Sequence, residues 1–201
     1  MKKQDTTEEK IIAAAKKVFI AKGMMGARMQ DIADEAGINK AMLHYYFRNK
    51  EKLFDKIFTE AFLSFWPKIN DLLDADINLF QKIESFCHSY IDVLIENPYV
   101  PIFVLNELNR QPAVFIQKIF TSGPPKVGKL LRQIEADVKA DKIKAISPVQ
   151  LFINMVSMCV FPFVGKPMLQ AAFGMNDLQF RKMVELRKTE IPRFIIDSIS
   201  K

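Results

Sequence analysis

Three features of this 201-residue sequence predict an all-α fold. Capping residues recur ahead of apolar stretches with helical spacing. Glycine and proline fall where such helices should stop and start. Strand signals, by contrast, are scarce. The expected architecture is a small N-terminal three-helix domain over residues 1–50 that contains a helix-turn-helix, followed by a larger helical domain over residues 51–201. With 49% hydrophobic and 26% charged residues the chain reads as globular, and its length is enough to bury a core without disulfides or metals.

The elements follow in order. Thr6 with Glu9 fits a capping box, and Ile11, Ala14, Ala15, Val18 and Phe19 recur at helical spacing before Gly23 supplies a stop. Met29, Ile32, Ala33 and Ala36 make a short second helix that ends at Gly37. Asn39 caps a third, Lys40–Phe47, and Asn49 a fourth that starts near Lys50. Leu53, Phe54, Ile57, Phe58, Ala61, Phe62 and Phe65 give the fourth helix an apolar stripe down to Trp66, and Pro67 should kink it. Further helices are expected over Ile77–Glu96, Val100–Arg110, Pro124–Asp141, Pro148–Phe173 and Asp177–Ser198, with a short helix flanked by loops in 111–123.

Charge is unevenly distributed. Residues 1–50 hold ten Lys/Arg against six Asp/Glu, so this quarter of the chain carries +4 of the net +6. The asymmetry suggests that the N-terminal end meets a polyanion. Cys87 and Cys159 lie far apart in apolar surroundings and read as reduced core residues. The opening MKKQDTTEEK lacks the apolar stretch of a secretory signal. No run approaches the roughly 18–20 apolar residues of a membrane span, so a soluble cytoplasmic protein without a membrane partner is expected.

The informative stretch runs from Met29 to Phe47, two short helices around a glycine-containing turn, which is the plan of a helix-turn-helix. Ala33 and Ala36 keep the first helix slim, Gly37 can turn the chain in the left-handed conformation, and Ile38 and Leu43 would plug the space between the helices. The second helix would enter the major groove. Lys40 and Lys50 suit phosphates, and Asn39 can cap its helix and donate to a phosphate. Ala41 and Met42 can meet a thymine methyl, and His44, Tyr45 and Tyr46 offer polar tips to phosphates or base edges. Phe47 and one of the tyrosines have packed core as the alternative.

The pattern D-I-A-x-x-A-G-I-N-x-x-x-L-H-Y-Y-F-x-N-K-E-x-L, within residues 7–55, resembles the DNA-binding domain of the tetracycline-repressor family of transcription regulators. Four positions depart from the family's pattern. Ala27 and Arg28 stand where a threonine or serine is common, with Arg28 able to supply the phosphate contact by charge. Ala41 replaces a frequent glycine and His44 a frequent tyrosine. The resemblance implies a ligand-responsive DNA-binding regulator, a repressor released from a palindromic operator by a small apolar or amphipathic effector. It also implies a homodimer through the helices expected at about 148–173 and 177–198. Leu151, Phe152, Met155, Val156 and Cys159 supply one apolar stripe for that contact, and Met183, Val184, Ile191, Phe194 and Ile195 another.

Residues 51–201 hold no catalytic constellation, phosphate loop or metal motif, so neither enzymatic activity nor a cofactor is expected. His88, flanked by Glu84 and Asp92, reads as a buried or half-buried histidine. The aromatic and methionine content points to an apolar cavity among Phe62, Phe65, Trp66, Tyr90, Phe103, Phe152 and Met155, with His88, Asn106 and Glu107 as polar groups for a ligand. Two other classes compete. One is a small-molecule-binding helical module whose head does not bind DNA, motivated by Ala27, Ala41 and the modest +4. The other is a helical enzyme, for which no acid–base or metal group is placed.

Overall fold

Capping residues set the element boundaries in a computed structural model, which describes residues 6–120 and 126–201, the side chains of 63, 64 and 118 excepted. Among these residues there are eleven helices and no strand. They divide into two compact units, Met1–Ser64 and Phe65–Lys201.

In the first unit, Thr6 opens α1 (Thr7–Gly26). Its hydroxyl accepts from the Glu9 N–H at 3.2 Å, and the Glu9 carboxylate accepts from the Thr6 N–H at 2.6 Å. Gly23, at φ 65° and ψ 168°, breaks the helix where a stop was expected, and one more turn follows to Gly26. Next come α2 (Met29–Ala36) and α3 (Lys40–Tyr46). Asn49 then opens α4 (Lys50–Asp74), its carboxamide oxygen accepting from the Lys52 N–H at 2.9 Å. Ile11, Ala15, Phe19, Ile32, Ala33, Leu43, Leu53, Phe54 and Ile57 are all buried, and Phe19 meets Phe54 edge to face at 4.8 Å. Fully burying each of the Ile, Leu and Phe side chains among them is worth about 1.5–3 kcal/mol, which makes this cluster the main support of the unit. Pro67 lies inside α4, which continues beyond it to Asp74.

The second unit draws on the end of α4 and on α5 (Leu79–Glu96), α6 (Val100–Arg110), α7 (Pro112–Ile119), α8 (Val127–Lys139), α9 (Pro148–Val164), α10 (Lys166–Phe173) and α11 (Asp177–Ile199). Helix α5 is central and packs on α8, α9 and α11. Phe65, Ile83, Phe86, Cys87, Leu130, Ile134, Met155, Cys159 and Ile195 share its core. A smaller cluster joins Leu94, Phe163, Phe180 and Val184. Among the described residues of this unit one charged side chain is buried. The Lys82 ammonium donates to the Leu73 carbonyl at 3.1 Å, near the C-terminal end of α4. Burial holds its pKa below 10.5, Lys129 pushes in the same direction, and Asp76 and Asp74 partly offset both. The prolines expected to start α8 lie outside the described residues.

The helix expected over 148–173 is broken. Helix α9 ends at Gly165, and α10 leaves at 72° to it. Pro167 explains the break, because it has no N–H to continue the ladder and its ring clashes with the preceding turn, while it fits the start of a new helix. The apolar stripes read from the sequence also divide. Leu151, Met155, Cys159, Val184, Ile191 and Ile195 are buried, Phe152, Val156 and Met183 are half-buried, and Phe194 is exposed, as are Val149, Ile153, Phe161, Leu178 and Leu186 outside those stripes. These helices are apolar on more than one face, so hydrophobicity alone did not distinguish the two sets. Among the described residues no single helix is long and apolar enough to cross a membrane.

Candidate nucleic-acid interface

The turn between α2 and α3 is built from backbone. Gly37 closes α2 in the left-handed conformation (φ 67°, ψ 33°), and the Ile38 N–H reaches back to the Ala33 carbonyl at 3.0 Å. Asn39 starts α3, its side-chain oxygen accepting from the Met42 N–H at 2.7 Å. Leu43 and Phe47 anchor the inner side of α3 and are buried. The other side is open: Lys40, Ala41, Met42, His44, Tyr45 and Tyr46 are all exposed, Tyr45 to 86%. Both tyrosines therefore lie outside the core, and their rings meet at 5.5 Å nearly at right angles.

Ion pairs tie the scaffold behind α3. Lys17 holds Glu35 at 2.9 Å and Lys22 holds Asp31 at 3.0 Å, joining α1 to α2. The Lys22 ammonium holds the Asp31 carboxyl below its usual range, helped by the Arg28 backbone N–H at 3.1 Å. Arg28 has no acceptor to return that bond, so half of a capping box opens α2 and the guanidinium stays exposed. Ala27, in the place where a hydroxyl is common, is buried. Lys50 is half-buried and donates to the Ala27 carbonyl at 3.1 Å. It thus has a structural task beside the phosphate contact expected of it. His44 is oriented by the Arg48 carbonyl, 3.1 Å from Nδ1. Neither Lys17, Lys22 nor the Arg48 carbonyl was singled out from the sequence, since nothing in spacing or charge announces a scaffold contact.

The expected ligand residues separate by location. Phe65 stacks on Tyr90 at 5.2 Å, Tyr90 on Phe86 at 5.3 Å, and Phe86 meets Phe152 at 6.2 Å, with Met155 in the same core. Burial pushes the Tyr90 phenol up to about 12. Trp66 lies against Phe120 at 5.6 Å and Phe103 against Phe115 at 6.0 Å. Phe62 pairs with Phe58 in the first unit instead. His88 is exposed rather than buried and pairs with Asp92 at 3.1 Å, because it shares with Glu84 the side of α5 that faces solvent, while Phe86 and Cys87 take the buried side. Asn106 is exposed as well, and Glu107 pairs with Arg110 at 3.1 Å. Phe65, Tyr90, Phe152 and Met155 thus share a core, Phe62 lies in the other unit, and His88 and Asn106 are at the surface.

A short helix locked by a left-handed glycine turn, with a buried inner side and a polar and cationic outer one, defines a helix-turn-helix DNA-binding head. The sequence model of "Bacterial regulatory proteins, tetR family" matches residues 11–57. HTH-type transcriptional repressor NicS of Pseudomonas putida is 41% identical over 61 residues, 30% of this chain and 29% of that protein. Among solved structures, an alanine-substituted mutant of HlyIIR aligns with a TM-score of 0.63 and 24% identity, covering 100% of this chain and 99% of that one. The transcriptional regulator FadR of Bacillus subtilis, in complex with stearoyl-CoA, aligns at 0.61 and 17%, covering 94% and 98%. The head, residues 11–57, thus carries the sequence pattern of the tetR family of bacterial regulatory proteins, and the chain as a whole shares its fold with these solved regulators.

Proposed function

We propose that this protein is a homodimeric repressor that grips a palindromic DNA operator with two copies of α3 and lets go when an apolar or amphipathic small molecule binds its larger domain. Residues 1–50 would form the DNA-binding domain and 51–201 the effector-binding and dimerisation domain, with the cytoplasm as the place of action. The observation that carries the reading is the exposed side of α3, where Lys40, Ala41, Met42, His44, Tyr45 and Tyr46 face solvent on a helix whose other side is anchored by Leu43 and Phe47.

Each residue has a role by its chemistry. Arg28, Lys40 and, secondarily, Lys50 neutralise phosphates, and Asn39 fixes the start of α3 and contacts the backbone. Met42 and Ala41 meet base edges by apolar contact, and the tyrosine hydroxyls complete the grip. Dimerisation uses the exposed residues of α9 and α11, with Leu186 and Phe194 among them. The effector lies against the aromatic residues Phe65, Tyr90 and Phe152 together with Met155. The acyl-CoA carried by FadR supports an amphipathic ligand class. Release requires the ligand to favour a DNA-incompetent arrangement, by about 1–3 kcal/mol for a typical coupling.

Selection of binding sites from a randomised duplex pool with the full chain tests the proposal. The expected result is an inverted repeat with half-site centres about 10 bp or a multiple apart. A pool that shows no enrichment would overturn it. The enriched duplex then serves to screen amphipathic compounds for those that raise the melting temperature and weaken DNA binding together.

A further inference from the structure

His44 is exposed on α3, and its Nδ1 lies 3.1 Å from the Arg48 carbonyl oxygen. A carbonyl only accepts, so Nδ1 carries the hydrogen. In the neutral ring the second nitrogen, Nε2, is then a bare lone pair, which a phosphate oxygen repels. Only a proton on Nε2 makes it a donor to an anion. A tyrosine in this position would donate from its hydroxyl whatever the charge state of its surroundings.

We propose that His44 is a proton-dependent phosphate clamp, so that DNA binding takes up a proton at Nε2 in each head. The inference rests on the reading of α3 as the DNA-facing helix. It follows from a single backbone contact that uses up the nitrogen otherwise free to donate in the neutral ring.

The charges around His44 fit this assignment. Helix α3 itself carries Lys40 one turn earlier and the two tyrosines directly after, and Arg48 follows in the turn. Helix α2, which packs on α3, brings Asp31, Asp34 and Glu35. Asp31 is held by Lys22 at 3.0 Å, Glu35 by Lys17 at 2.9 Å, and Asp34 accepts from Gln30 at 2.7 Å. At the start of α4, Lys50 donates to the Ala27 carbonyl at 3.1 Å, and Glu51 and Lys52 follow it. The acidic groups of α2 thus have partners of their own. The charge compensating a protonated His44 is then a DNA phosphate, which meets Lys40 and Arg48 as well.

The test measures affinity of the full chain for the enriched duplex and for a synthetic duplex of arbitrary sequence, between about pH 6 and pH 8, where an imidazole changes charge. Affinity should rise as pH falls, by roughly tenfold or more for a two-headed dimer, on both duplexes. The log–log salt slope should steepen by about 1.8 over the same range, as two phosphate contacts are added. His44→Gln should remove both effects. His88→Gln, at the only other histidine of the chain, should leave both intact. The clamp is overturned if His44→Gln keeps the pH dependence of the wild type, or if affinity rises with pH. If the wild type binds neither duplex at any pH, the assignment of α3 itself fails and the clamp goes with it.

Discussion

Replacing Gly37 by alanine isolates one backbone angle from everything else in the helix-turn-helix. A Cβ added at Gly37 would meet nothing within 4 Å, so no clash contributes to the effect. What remains is the left-handed conformation at φ 67°, which an L side chain adopts at a cost of about 1–2 kcal/mol. The cost falls on the junction that sets α3 against α2, where the Ile38 N–H meets the Ala33 carbonyl at 3.0 Å. Local opening of this junction should therefore rise by about 5- to 30-fold in Gly37→Ala. Amide hydrogen exchange over Met29–Ala36 and Lys40–Tyr46 reads that change directly. Gly37→Asn should recover much of the protection, because asparagine tolerates the left-handed region. Gly26→Ala serves as the internal control, since its Cβ makes an ordinary contact at 3.6 Å with the Lys22 Cβ and needs no unusual backbone. It should leave protection unchanged or raise it. Exchange in Gly37→Ala equal to wild type would refute the left-handed turn as the element that fixes α3.

Phe194→Glu places a charge on a side chain that is 62% exposed, so the fold should hold while self-association weakens. Sedimentation should show monomer at concentrations where the wild type is dimeric, and an unchanged dimer would move the interface elsewhere. With about three phosphate contacts per head the log–log salt slope of DNA binding should be near −5, and Lys40→Ala should flatten it by about 1.8. Lys50→Ala should in addition destabilise the first unit by about 1 kcal/mol, since it removes the bond to the Ala27 carbonyl. Equal stability in the Lys40 and Lys50 variants would argue against that structural task. Lys82→Met probes the buried ammonium through pH. Its folded-state value lies below 10.5, so between that value and 10.5 the unfolded chain holds more protons at this site and wild-type stability gains with rising pH. The variant lacks that gain, so its stability relative to wild type should fall as pH climbs toward 10.5 in urea titrations. A constant difference would count against burial of the charge.

The head was legible in the sequence because its parts are local. Thr6, Gly37, Asn39 and Asn49 act within four residues of themselves, and each stands where its capping or turning chemistry requires. Leu43 was expected between the two helices and Phe47 had packed core as its alternative, and both are buried. The second unit was less legible for the opposite reason. Helices α9 and α11 are apolar on several faces, so a stripe such as Met155 and Cys159, read from spacing as a contact between copies, could not be told from one that packs into the core, where both residues lie. Pro167 followed a lone glycine, and the break at Gly165 was missed because the apolar residues continue on both sides of it. Buried Lys82 and the surface position of His88 are set by tertiary neighbours. Neither residue carries a local signal of its environment.

The claim that the exposed side of α3 is what holds DNA is tested most directly by removing that side without touching its anchor. Lys40, Met42 and Tyr45 are all exposed, so the combined variant Lys40→Ala, Met42→Ala, Tyr45→Ala leaves Leu43 and Phe47 in place. Its affinity for the enriched duplex, measured beside its hydrogen-exchange protection over α1 and α2, is the deciding number. The account predicts that protection stays at the wild-type level while sequence-specific binding is lost, leaving only weak, strongly salt-dependent association. Wild-type affinity in the variant, with the fold intact, would contradict it.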